Sequence, residues 1–200
     1  MIDILMPLLI DIAKTGEQLY ECYRTTSYSK FDDMESIEGQ SHKLLRAAIS
    51  QHFPGIDVYT DESLPKKMPE ECFLIHPLDG IERFESESDQ FVLTLAYINK
   101  GEPCMGVVHH PVTGKSWIGI QKRGVFVFNH GQDIFPVVIK APESEHTIMT
   151  TDDQLIGPVI LRQRQQTLGG SVQLRLLHSA LGIGYLVDGL AHEWALCDGC

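Results

Sequence analysis

The sequence predicts a layered architecture of helices and sheet, α/β or α+β in class. Three observations carry this expectation. Helical periodicity runs from the N-terminus to His52, short β-branched and aromatic runs separated by turn signals follow as far as about Lys140, and a second helix-and-strand segment comes after Ala141-Pro142. With 200 residues, 43% of them hydrophobic and 22% charged, the chain is large enough for one compact domain or two small lobes. The composition shift places the lobes at 1–140 and 141–200.

The first helix is expected to run to about Tyr23, because Ile2, Leu5, Leu8, Leu9 and Ile12 fall on one stripe. A second, from about Glu38 to His52, carries Leu44, Leu45, Ala48 and Ile49 and is stopped by Pro54 and Gly55. Strands are expected at Val58-Tyr59, Phe73 to Ile75, Phe91 to Ile98, Met105 to Val108, Ser116 to Ile120 and Val125 to Phe128. Turns at Asn99-Lys100-Gly101, Thr113-Gly114 and Arg123-Gly124 would join the later ones into an antiparallel meander. In the second lobe the pattern predicts a strand at His146 to Met149, a helix over Ser171 to Ala180 and a strand at Tyr185 to Val187. There is no repeat and no low-complexity tract.

Sixteen Lys and Arg against 27 Asp and Glu give a formal charge of -11, which repels polyanions and argues against nucleic acid or an anionic membrane as the main partner. Asp3 and Asp11 interrupt the apolar opening and no basic residue precedes it, so it reads as an amphipathic helix and not a signal peptide. No run approaches the roughly 18 uninterrupted apolar residues of a membrane span, and a soluble chain is expected. Five scattered cysteines fit a reducing, cytoplasmic setting better than a disulfide framework.

Acidic residues stand where strands are expected to end: Asp61-Glu62, Asp79-Gly80 and Asp188. Taken singly, each makes a turn. Together, carboxylates at strand ends can converge on one cleft and supply the oxygens that a hard cation such as Mg²⁺ requires.

Four segments taken in order, YTDES, FLIHPLDGIERF, GVVHHPVTGKSWIG and LGGSVQLRLLHSALGIGYLVDGLAHEW, resemble the inositol monophosphatase superfamily, nearest to its 3'(2'),5'-bisphosphate nucleotidase (CysQ-like) branch. The opening helix is similar as well, so the resemblance covers nearly the whole chain. It implies an α-β-α-β-α sandwich and a Mg²⁺-dependent, Li⁺-sensitive phosphomonoesterase, in which metal activates water and neutralises charge on the phosphate. It further implies that Glu62 and Asp79 are metal ligands, that Leu78 offers its backbone carbonyl to the first metal, and that Glu38 retains the charge of an aspartate contacting the attacking water. On the substrate side it points to Gly80, to Gly170 and Ser171 at a helix start able to receive an anion, and to Asp188 beside a substrate hydroxyl. The ligand so implied is a phosphorylated small molecule.

Departures from the family pattern fall at the chemistry. His76 stands where the family has its metal-bridging aspartate, and a neutral imidazole has one usable lone pair where a carboxylate has two oxygens. Ile81 replaces the threonine that helps to orient the attacking water, Ala195 replaces the aspartate of the Trp-Asp motif, and Gln173 replaces a lysine. These losses should cost far more than the about 10–100-fold of one outer-shell change. The expectation is a pseudoenzyme with little or no Mg²⁺-dependent activity. The alternative is an active phosphomonoesterase with a rebuilt site, in which His76, Glu62, Asp79 and His192 or Glu193 form a mixed set suited to Zn²⁺ or Mn²⁺. His109-His110, at a strand leading into a Pro turn, reads as structural.

Cys197-Asp198-Gly199-Cys200 is a lone Cys-x-x-Cys, redox-active or half of a zinc site if functional. The chain stops soon after His192-Glu193-Trp194, where family members continue, so an abbreviated C-terminal lobe with an uncovered edge is expected. A homodimer or a protein partner would cover it.

Overall fold

The computed structural model describes residues 2–25, 32–86, 88–129, 133–138, 146–150, 172–176, 180–188 and 193–195. The chain divides into two compact units, Met1–Pro136 and Val137–Cys200. In the first, helices α1 (Ile2–Thr25) and α2 (Asp32–His52) precede strands β1 (Val58–Tyr59) and β2 (Glu71–Asp79) and a short helix α3 (Ile81–Glu85). Strands β3 (Val92–Asn99), β4 (Glu102–His110), β5 (Lys115–Ile120), β6 (Gly124–Asn129) and β7 (Ile134–Val137) follow. The seven strands form one sheet in sequence order. β1 runs parallel to β2, with Val58 opposite Phe73, and the ladders from β2 through β6 are antiparallel.

α1 buries Leu5, Leu8, Leu9, Ile12 and Leu19, and α2 buries Ile37, Leu45, Ala48 and Ile49, but Leu44, expected on the same stripe, is exposed, because it lies one residue, about 100° of helix, from the buried Leu45. α2 begins earlier than the apolar periodicity indicates. It ends at His52, with Gly55 at φ 88° just beyond. The two helices are also joined by polar groups, since His52 Nε2 lies 2.9 Å from Asp11 Oδ2. The expected hairpins are present: Lys100 and Gly101 take positive φ between β3 and β4, Gly114 does so before β5, and Lys122 and Gly124 frame the β5–β6 turn. Against the helices, Phe73, Ile75, Phe91, Leu93, Leu95, Val107, Ile118 and Phe128 complete one apolar core.

The second unit corrects two sequence expectations. Strands β8 (His146–Thr150), β9 (Val172–Leu176) and β10 (Glu193–Ala195) form a parallel sheet ordered β10-β8-β9. Ser171 to Ala180 is therefore not a helix over its described part. Val172-Gln173-Leu174-Arg175-Leu176 alternates apolar and polar residues, the period of a strand. Tyr185 to Val187 is not a strand but the last turn of α4 (Leu181–Val187), whose buried Leu181, Gly182, Gly184 and Val187 follow helical spacing. Among the described residues no helix is long and apolar enough to cross a membrane.

α1 approaches β4 so closely that a Cβ on Gly16 would fall on the imidazole of His109. That ring is fully buried, and its Nδ1 lies 2.9 Å from Ser116 Oγ, so it has no free space into which to swing. Gly16→Ala should accordingly destabilise the protein by about 1–3 kcal/mol, more than a helix-favouring substitution would return. Urea unfolding of the variant beside the parent measures this, and equal midpoints would contradict the close packing.

Candidate functional site

One sequence motif, His76 to Ile81, lies at the carboxyl end of β2. Because β1 and β2 are parallel, both chains leave the sheet in the same direction there. After β1 the chain turns through Asp61-Glu62-Ser63. The Thr60 N–H donates to Ser63 Oγ at 2.7 Å and the Ser63 N–H donates back to the Thr60 carbonyl at 3.2 Å, which leaves Glu62 exposed at the tip.

β2 is irregular at the point where chemistry is expected. His76 pairs with Thr94 but Asp79 pairs with Val92, so three steps along β2 match two along β3. The bulge holds Pro77, which has no N–H to give a ladder. It also breaks the alternation of faces: His76 is exposed, Pro77 and Leu78 are buried, and Asp79 is half-buried. Gly80 then takes φ 91° and ψ 38°, a left-handed conformation that favours glycine, and its carbonyl accepts from the N–H groups of Arg83 and Phe84 at 2.9 and 3.0 Å. α3 thus starts with Ile81, whose side chain packs against the core.

α2 is tied to the same place. Ser41 Oγ donates to the Pro77 carbonyl at 2.7 Å in a buried bond. Glu38, half-buried and three residues earlier, lies on the same face of the helix. Sequence reasoning missed Ser41. Its signal was a hydroxyl on the stripe of Ile37, Leu45, Ala48 and Ile49, where a polar group is buried only with a partner.

His76, Leu78, Asp79 and Gly80 thus follow one another at the carboxyl end of β2, Glu38 lies on the helix face that Ser41 ties to Pro77, and Glu62 lies in the turn after β1, whose last residue pairs with Leu74. Asp188 is not at a strand end, as the sequence indicated, but caps α4, with its N–H donating to the Gly184 carbonyl at 2.9 Å. Gly170, Ser171, His192, Cys197 and Cys200 lie outside the described residues. Among the described residues no three His, Cys, Asp or Glu side chains converge as a metal shell. His109 and His110 are buried in β4. His110 Nε2 lies 2.8 Å from the Asp89 carbonyl and its Nδ1 lies 3.0 Å from Thr113 Oγ1. One nitrogen donates and the other accepts, the pattern of a neutral ring, and burial pushes this imidazole below its ordinary value of 6.5.

Comparison with known proteins follows the same geometry. The model of the Inositol monophosphatase family matches residues 12–195. A 3'(2'),5'-bisphosphate nucleotidase CysQ of Aggregatibacter actinomycetemcomitans is 24% identical over 136 residues, which are 63% of this chain and 51% of that protein. The chain spans about half the length of such curated relatives. Among solved structures, the Thermotoga maritima IMPase superposes with a TM-score of 0.73 at 21% identity, covering 94% of this chain and 74% of that one. CysQ from Bacteroides thetaiotaomicron does so with a TM-score of 0.73 at 17% identity, covering 94% and 78%. The fold is that of these α/β proteins.

Two outcomes are expected. Ser41→Ala strands the buried Pro77 carbonyl and should cost about 1–3 kcal/mol in chemical unfolding, whereas a surface serine such as Ser50 should tolerate the same change. The unfolded chain binds a proton on His110 more readily than the folded one does, so this residue's contribution is complete above 6.5 and falls as pH falls through that value. The unfolding midpoint should drop between about pH 8 and pH 5, and the drop should shrink in His110→Gln.

Proposed function

The chain belongs to the inositol monophosphatase family, and we propose that it keeps the family's frame for a phosphate-bearing small molecule while having lost Mg²⁺-dependent turnover. In this reading it works as a binding or assembly module, with a second copy or another protein as its partner. Residues 1–140 supply the metal-motif lobe and 141–200 the anion-side lobe. The half-exposed Cys104 and the buried Cys72, both free thiols, support a reducing, cytoplasmic setting.

The observation that carries the reading is the pair of residues on either side of Asp79-Gly80. The bulge and the left-handed glycine form a tight turn, where His76 before it is an exposed imidazole and Ile81 after it packs into the core. An imidazole cannot bridge two Mg²⁺ ions, and an isoleucine side chain has no group with which to hold a water. Ala195, in β10, adds no carboxylate. Glu62 and Asp79 alone would leave most of an octahedral Mg²⁺ shell to water. The described donors do not fit the family's metal, and no step is routed through it. By the family resemblance Glu38 would face the attacking water, and Gly80, Gly170, Ser171 and Asp188 are the substrate-side residues.

Restoring the lost groups together tests this. The parent should release no phosphate from adenosine 3',5'-bisphosphate or from inositol phosphates in Mg²⁺, and calorimetry should show weak Mg²⁺ binding. The variant His76→Asp, Ile81→Thr, Ala195→Asp should bind Mg²⁺ more tightly. Turnover by the parent at rates typical of its family would refute the reading, and turnover with Zn²⁺ or Mn²⁺ alone would favour a rebuilt site.

A further inference from the structure

Ser41 belongs to no motif of the candidate site, yet its hydroxyl reaches across 36 residues to the Pro77 carbonyl at 2.7 Å. The register leaves that stretch of β2 unmatched. His76 pairs with Thr94 and Asp79 with Val92, and neither Pro77 nor Leu78 has a partner on β3. Pro77 has no N–H to offer a ladder either.

A peptide unit is planar, so a bond that holds the Pro77 carbonyl also fixes the plane containing the Leu78 N–H. Between that plane and the Leu78 carbonyl only the φ and ψ of Leu78 remain, and its side chain is 1% exposed within the core. The direction of the Leu78 carbonyl and the path into Asp79 therefore follow from where Ser41 holds Pro77. Past Asp79, Gly80 stands at φ 91° and its carbonyl accepts from the Arg83 and Phe84 N–H groups. The turn is held at one end by α3 and at the other by α2.

The residue type at position 41 points the same way. Ser41 is buried on the stripe of Ile37, Leu45, Ala48 and Ile49. Alanine there would be the better helix former and would bury no polar group. A serine is favoured at that position only through the bond its hydroxyl makes.

We propose that Ser41 is a positioning residue for the turn Leu78-Asp79-Gly80, holding it in the geometry that receives the phosphate-bearing ligand. The proposal rests on the functional reading above. Ser41 is itself buried and acts through the Pro77 carbonyl.

A merely structural serine would lower stability and leave binding by the folded protein unchanged. Calorimetry with adenosine 3',5'-bisphosphate, at a temperature where parent and variant are both folded, separates the two roles. Ser41→Ala should bind about tenfold more weakly, the size expected when binding must itself order one peptide unit. Ser50→Ala, an exposed change on the same helix, should bind as the parent does. In NMR spectra the amide resonances of Asp79 and Gly80 should shift when nucleotide is added to the parent. They should broaden in ligand-free Ser41→Ala, while those of β4 and β5 stay as they are. Should Ser41→Ala fail to fold, Ser41→Cys keeps the size with a weaker donor and should bind more weakly than the parent in the same way. Equal affinity in parent and variant, or resonance changes spread evenly over the sheet, would overturn the proposal and leave the functional reading standing. No nucleotide binding by the parent would overturn both.

Discussion

The hydrogen bond from Ser41 to the Pro77 carbonyl ties α2 to the irregular stretch of β2. Pro77 cannot give an N–H to the ladder, so β2 bulges there and leaves a carbonyl turned away from its neighbouring strand. Ser41 satisfies that carbonyl and in doing so sets the height of α2 over the sheet. The helix stripe then meets Phe73, Ile75 and Leu78, and α1 packs beside α2. The same bulge exposes His76, buries Leu78 and delivers Asp79 to the left-handed Gly80. Packing and the candidate site share one irregularity.

That coupling separates residues that hold the frame from residues free to vary with the chemistry. Gly80, Pro77 and Ser41 answer to backbone geometry, and changing any of them strains or unsatisfies the core. In the proposed reading, the residues at positions 76 and 81 answer to a ligand. Carboxylates clustered for a divalent cation repel one another when the cation is absent. An imidazole at position 76 avoids that repulsion, and Ile81 adds apolar contact with the core. Stability and metal-dependent chemistry pull these positions in opposite directions.

The sheet has two ends of different character. At the carboxyl end of β2, Glu38, Glu62 and Asp79 place negative charge beside a turn-rich edge. At the end formed by the β3–β4 and β5–β6 hairpins, the turns carry Lys100, Lys122 and Arg123, and Glu71 and Glu102 are hydrogen-bonded to Tyr97 and Gln121. A meander makes this separation natural, because alternate connections fall at opposite ends and each end draws its side chains from different turns.

The sequence by itself determined what depends on near neighbours. The stripes of α1 and α2, the Gly101, Gly114 and Gly124 turns, and hence the antiparallel meander follow from periodicity and from positive φ, both local properties. It also displayed the motif residues from His76 to Ile81, with their departures. It misled at Val172–Leu176 and Leu181–Val187, because a short apolar run fits a strand or a helix until a partner decides. β8 pairing with β9 decided the first. Only the tertiary structure showed the one-residue slip in β2, the Ser41 bond spanning 36 residues and the fit of Gly16 to His109. Each of these joins groups distant in the chain, and hydrogen-bond satisfaction and close packing are conditions on space that no local pattern encodes.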